Sequence, residues 1–314
     1  MVKVPKGYRS KNVRDTRRTG NSSRGSRTFG ANSSRSRGGG LGGGGLAGGG
    51  VPQTRRGGCG IGVLLIIGLI VFALMGLPGS STSPTDSAAS SASTGSGGSD
   101  SAEEEATFDL VNFVLDDLQN DFWPEEFAEA NLVYQDASVN VFENEVRTGG
   151  CGTASSAVGP FYCPADNTAY IDIEYMFLLQ AQLGAEGDFA QAYIVAHEIA
   201  HHVQNLLGIN AAVRQAQSGA STADSNGLSV GLELQADCFA GAWARSFSDR
   251  GFLDSGDLEE GVGAAEAVGD DNITGSTNQE NFTHGSSAQR IEWFNTGFDL
   301  GTDSCTTFDG ELSP

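Results

Sequence analysis

The stretch "IVAHEIAHHVQNLLG", residues 194–208, carries three of the four histidines of this 314-residue chain. His197 and His201 lie four apart, with Glu198 directly after the first. Residues four apart on an α-helix share one face, about one turn apart. Both rings can therefore point at one cation, and Glu198 can reach a water beside it. The stretch itself reads as helix: Ile194, Val195, Ile199, Ala200 and Val203 are apolar, and Gly208 is a natural C-terminal stop. The spacing predicts a largely buried helix over 187–207, and buried ionisable groups need partners. This H-E-x-x-H arrangement suits metal-assisted hydrolysis with the glutamate as general base.

A catalytic zinc takes three protein ligands and keeps one position open. The extended pattern H-E-x-x-H-x-x-G-x-x-H is excluded, because Gln204 and Leu207 hold its glycine and last histidine positions. "GLELQADCFAGAW" (231–243) offers a carboxylate instead. Glu233 and Asp237 are again four apart, on an otherwise apolar helix predicted over 228–249. Two acids facing a core require a cation or a donor. Glu233 as third ligand and Asp237 as partner of a ligand imidazole satisfy both; a solvated helix face is the bland alternative. His202 stands about 100° round the helix and cannot share the metal. His284, in "NFTHGSSAQRIEWF" (281–294), precedes a helix predicted over 286–298 with Ser286 or Ser287 as its cap. It is either an ordinary surface histidine or, together with Arg290, a donor to the oxyanion of a tetrahedral intermediate.

Working outward, residues 1–60 are rich in Arg, Lys, Gly and Ser, too poor in apolar groups to offset ordering entropy, and are expected to be disordered. "IGVLLIIGLIVFALMGL" (61–77) has no charge and is long enough to span a bilayer, with a cleaved signal as its rival. Residues 78–105 read as a Ser/Gly-rich linker, and 106–314 as one domain. Thirteen of the 18 Lys/Arg residues precede the apolar run, whereas 38 of the 39 acids follow Asp15. The positive-inside rule then places the N-terminus in the cytoplasm and the acidic domain outside, as a single-pass membrane protein. The net charge of −21 argues against nucleic acid as a partner. Cys151, Cys163, Cys238 and Cys305 fall in the outer part, where an oxidising compartment favours two disulfides. Three pairings are open; the local loop favours Cys151–Cys163, leaving Cys238–Cys305.

Within the domain, helices are expected at 106–122 (stopping at Trp123-Pro124), 174–183 and 256–269, with extended chain at 131–144 and 167–173. Few strands followed by many helices give an α+β fold, mostly helical with a small sheet. The strand at 167–173 is expected to bind substrate backbone by edge pairing.

"AHEIAHHVQNLLGI", "ELQADCFAGAWA", "FTHGSSAQRIEWFNTGF", "GPFYCPADNTAYIDI" and the closing "CTTF" together resemble the bacterial neutral zinc metallopeptidase family. "SKNVRDTRR" near the start resembles that family's N-terminal segment. The resemblance implies a gluzincin-type zinc peptidase acting on peptides or proteins. His197, His201 and Glu233 would bind Zn2+, Glu198 would be the catalytic base, and Asp237 would support a ligand. "HGSSAQR" is also similar to a His-Pro-x-x-x-x-Arg segment of integral-membrane zinc peptidases, with Gly285 in place of the proline. The alternative function is a zinc-stabilised binding module of the cell envelope without catalysis. Glu198 separates the two readings, since a purely structural site needs no base.

Overall fold

The computed structural model describes residues 1–17, 100–177 and 187–308. The apolar run 61–77 and most of the linker lie outside the described residues. Among the described residues, no helix is long and apolar enough to cross a membrane.

The main sheet has four strands: β1 (Val13–Asp15), β2 (Ser138–Phe142), β5 (Phe161–Cys163) and β6 (Thr168–Asp172), in the order β1-β2-β6-β5. β2 runs parallel to both β1 and β6, while β5 returns antiparallel along β6. Alternation explains the buried face: Val139, Val141, Ala169 and Ile171 all point into the core. A separate hairpin joins β3 (Glu145–Arg147) to β4 (Thr153–Ser155).

The helices are α1 (Asp100–Asp117), α2 (Trp123–Glu129), α3 (Asp188–Leu206), α4 (Ile209–Gln217), α5 (Thr222–Asp249), α6 (Asp257–Ala267), α7 (Asp270–Thr274) and α8 (Ser287–Leu300). The α+β expectation holds. α1 does not stop at Trp123-Pro124: it passes through a π-helical turn (Leu118–Phe122) into α2, where Pro124 sits in the first turn. Pro124 has no N–H to give the preceding turn, and the helix widens to π geometry just ahead of it. α3 ends as expected, with Gly208 in the left-handed region at φ 77°. Ser286 caps α8 in a full capping box with Gln289. α5 begins six residues earlier than the hydrophobic pattern suggested, because Ser221 accepts from the Asp224 N–H and caps it there. The helix expected at 174–183 is seen as a helical turn at 173–177; the rest lies outside the described residues.

α5 and α8 pack backbone to backbone. A Cβ on Gly241 would lie 2.0 Å from the Phe294 carbonyl oxygen, and one on Gly297 would lie 1.8 Å from that of Cys238. This approach draws Arg290 of α8 against Asp237 of α5. Trp243 stacks on Phe189 and donates from its indole to Asp117, tying α5 to α3 and α1.

Two expectations are corrected. Residues 1–17 are not a disordered tail: Val2 is buried in the core, and β1 is an edge strand of the sheet. β6 is an inner strand over its first half, paired with β2 along its length but with β5 only through Thr168, Ala169 and Tyr170, so any edge left to a substrate is confined to its end at Ile171 and Asp172.

Both expected disulfides are present, Cys151–Cys163 and Cys238–Cys305, with Cα separations of 5.9 and 5.5 Å. They close segments of 12 and 67 residues. Chain-entropy arithmetic assigns about 3 and about 4 kcal/mol to these loops. Replacing each pair by serine should lower urea-unfolding stability by those amounts, with the larger loss for the Cys238/Cys305 pair.

Candidate metal centre

α3 is buried along most of its length, so its polar residues are there for each other rather than for water. His197 and His201 stand one turn apart with ring centroids 4.8 Å from one another. Glu233, on α5, lies between them: one oxygen is 3.2 Å from His197 Nε2, the other 3.5 Å from His201 Nε2. One ligand atom from each of the three residues falls within 4.8 Å of the other two. Burial alone would raise the Glu233 carboxyl, but the two imidazoles hold it well below the usual carboxylate range. Glu198 follows His197 on the same helix and is buried; desolvation pushes its carboxyl up.

The donor set suits zinc because each imidazole is oriented from behind. His197 donates from Nδ1 to Asp237 (2.9 Å), which frees Nε2 to face Glu233. His201 donates from Nδ1 to Gln204 Oε1 (2.8 Å), and the Gln204 amide is fixed by donating to the Leu232 carbonyl (2.7 Å) and Gln235 (3.1 Å). Backing of this kind sets tautomer and ring angle at metal sites. Charge points the same way. Glu198, Glu233 and Asp237 bring three carboxylates to one region, and Arg290 brings one guanidinium. A divalent cation offsets the remaining two negative charges.

Asp237 is fully buried and sits at the centre of the supporting network. One of its oxygens accepts from His197, the Tyr193 hydroxyl (2.5 Å) and Arg290 Nη2 (2.8 Å); the other accepts from Arg290 Nε (2.8 Å). Desolvation would raise its carboxyl, but Arg290 and His197 hold it low.

This geometry separates the two residues grouped as oxyanion donors. Arg290 donates to Asp237, Tyr193 and the Val268 carbonyl, and its Nη2 lies 3.9 Å from a Glu233 oxygen. These contacts suit a supporting role for Arg290. His284 stays beside the cluster, on a loop whose Gly285 packs toward Val230 and Leu234, flanking Glu233 on α5. Gly285 has φ 90°, which a proline cannot adopt. Asp270 organises the loop: it accepts from the N–H groups of Thr283, His284 and Gly285 and from His284 Nδ1 (3.0 Å). His202 is buried away from the cluster. It donates from Nε2 to the Gln135 carbonyl (2.7 Å) and accepts from the Tyr162 hydroxyl (2.9 Å), and burial lowers its pKa.

Sequence reasoning missed Gln204, Tyr193 and Asp270. A second acidic group among the described residues, Asp188, Asp257 and Glu260, already takes protein donors: the Met1 amino group, the Val2 N–H and the Phe189 N–H.

Desolvation pulls the His197 pKa down, but its contacts with Asp237 and Glu233 outweigh this and lift it to about 9. In metal-free protein, that proton's stabilising contribution is complete below the ordinary imidazole value and is lost as pH rises through about 9. Zinc must displace the same proton, so affinity should climb about tenfold per pH unit up to that point and then level off. A chelator-competition titration across pH 6–10 (roughly this window follows from the imidazole range) checks the slope. Arg290→Lys keeps the charge but loses the two-point grip on Asp237. It should weaken zinc binding by about 10–100-fold in the same assay.

Comparison with known proteins gives the family of the chain. The chain is 49% identical over 193 residues to the uncharacterized protein YpfJ of Escherichia coli (strain K12), covering 60% of this chain and 67% of that protein. It is 46% identical over 191 residues to the uncharacterized protein Rv2575 of Mycobacterium tuberculosis (strain ATCC 25618 / H37Rv), covering 56% and 63%. No solved structure matches it. The family described as "Putative neutral zinc metallopeptidase" matches residues 5–308, and with nearly the whole chain matched, the protein belongs to that family.

Proposed function

We propose that the chain is a zinc-dependent peptidase of gluzincin type, hydrolysing peptide bonds in peptides or proteins. The observation that carries this reading is the placement of Glu198. A buried carboxylate stands next in sequence to one ligand of a two-imidazole, one-carboxylate set, and a site that only staples a fold has no use for it. A zinc ion held by His197, His201 and Glu233 would supply Lewis acidity, polarising the scissile carbonyl and lowering the pKa of water.

The rest falls to side chains. Glu198 accepts the proton of the attacking water and passes it to the leaving amine; its raised pKa suits both halves of that task. His284 presents its free ring nitrogen to the developing oxyanion, with Asp270 fixing the ring through Nδ1. Asp237, Tyr193 and Arg290 keep His197 in place and touch no reacting atom. Past Tyr170 the β6 strand has no β5 partner, and its end at Ile171 and Asp172 is where substrate backbone can pair with it. The two disulfides suit work in an oxidising compartment, and the apolar run 61–77 suits attachment to a membrane.

Glu198→Gln should bind zinc stoichiometrically yet cleave an unfolded protein about 10²–10⁴-fold more slowly. Full cleavage by that variant, or none by the zinc-loaded wild type, contradicts the proposal. His284→Ala should lose about 10²–10³-fold in kcat with zinc affinity unchanged; unchanged turnover removes His284 from the mechanism.

A further inference from the structure

Residues 1–17 carry six Lys/Arg against one acid, in a chain whose later part is strongly acidic. They lie across α1 and along the free edge of β2, and the surface beneath them is shaped for them. Val13, Arg14 and Asp15 pair in register with Val139, Asn140 and Val141. The Val139 N–H donates to the Asn12 carbonyl (2.9 Å), and the Thr16 N–H donates to that of Val141 (2.8 Å). Val2 is buried in the same core as α1 and α3, and Val4 and Val13 pack against it.

The polar contacts are more telling, because two fully buried amides on α1 and the turn after it depend on this segment. Asn112 accepts from the Ser10 N–H (2.8 Å), and Gln119 accepts from the Asn12 side chain (3.2 Å). Asp109 accepts from the Gly7 N–H (2.7 Å) and pairs with Arg9; Asp116 accepts from the Tyr8 hydroxyl (2.9 Å). Arg9 and Arg17 both lie over the ring of Phe108, with guanidinium carbons 4.7 and 4.2 Å from its centroid. Buried amides with unmet acceptors, an uncovered Phe108 and an acidic face without its cations are what α1 would present if the segment were elsewhere.

We infer that residues 1–17 and the metal-binding domain fold together on the same side of any membrane. A single crossing would place six basic residues and an edge strand across a bilayer from the acidic bed and sheet that hold them. Six of the thirteen basic charges ahead of the apolar run lie in this segment, and Lys3, Arg9, Lys11 and Arg17 among them pair with acids of the fold. This inference stands whether or not Glu198 supports catalysis.

The test uses the full chain in intact cells, in a Cys59→Ser background. Lys6→Cys and Glu129→Cys, both at exposed positions, are probed separately with a membrane-impermeant maleimide before and after lysis. The two positions should behave alike, both labelling before lysis or both only after it. Labelling of one before lysis and the other only after it overturns the inference. A second measurement replaces the registered pair Arg14 and Asn140 by cysteines. Rapid cross-linking by a short bifunctional thiol reagent in cells is expected; failure to cross-link while each single cysteine labels freely also overturns it.

Discussion

One buried carboxylate determines the geometry of the centre. Asp237 has no contact with water, so its charge is tolerable only while Arg290, Tyr193 and His197 all donate to it. The same four contacts fix the His197 ring with Nε2 turned toward Glu233. Desolvation and orientation are thus one constraint. The environment that makes Asp237 costly to bury also makes its partners immobile, and an immobile imidazole is what a metal site requires.

The fold exists around that constraint in a specific way. Asp237 and Glu233 come from α5, His197 from α3 and Arg290 from α8, so three helices must meet within hydrogen-bonding distance. Gly241 and Gly297 let α5 and α8 approach at the level of their backbones. The Cys238–Cys305 disulfide starts one residue from Asp237 and ties the chain after α8 back to α5. His201 is held by a parallel device on the other flank, in which Gln204 bridges α3 to the Leu232 carbonyl.

Much of the centre was legible in the sequence, since metal chemistry limits which residue types can serve and a helix limits their spacing. His197, Glu198 and His201 follow from a four-residue repeat, and Glu233 and Asp237 stand out as acids on an apolar helix. Gln204, Tyr193 and Asp270 carried no such mark. A neutral amide, a phenol and a loop carboxylate acquire their roles only from partners that tertiary packing supplies. Arg290 was offered from sequence only alongside His284 as an oxyanion donor; its contact with Asp237 depends on how α5 and α8 pack, which spacing does not show. Strand order was similarly hidden: nothing in "NTAYIDI" shows that β5 folds back along its first three strand residues, Thr168–Tyr170. The N-terminal segment was misread by averaging. Glycine and serine further along dominate residues 1–60 and mask Val2, Val4, Tyr8 and Val13, which secure the first 17 residues to the domain.

The most direct test of the account is anomalous diffraction at the zinc edge from crystals of the zinc-loaded protein. The account predicts one strong peak within coordinating distance, about 2.0–2.2 Å, of His197 Nε2, His201 Nε2 and a Glu233 oxygen, with Glu198 beside it and unligated. A peak on the Asp188, Asp257 and Glu260 group instead, or a fourth protein ligand closing the site, would contradict it.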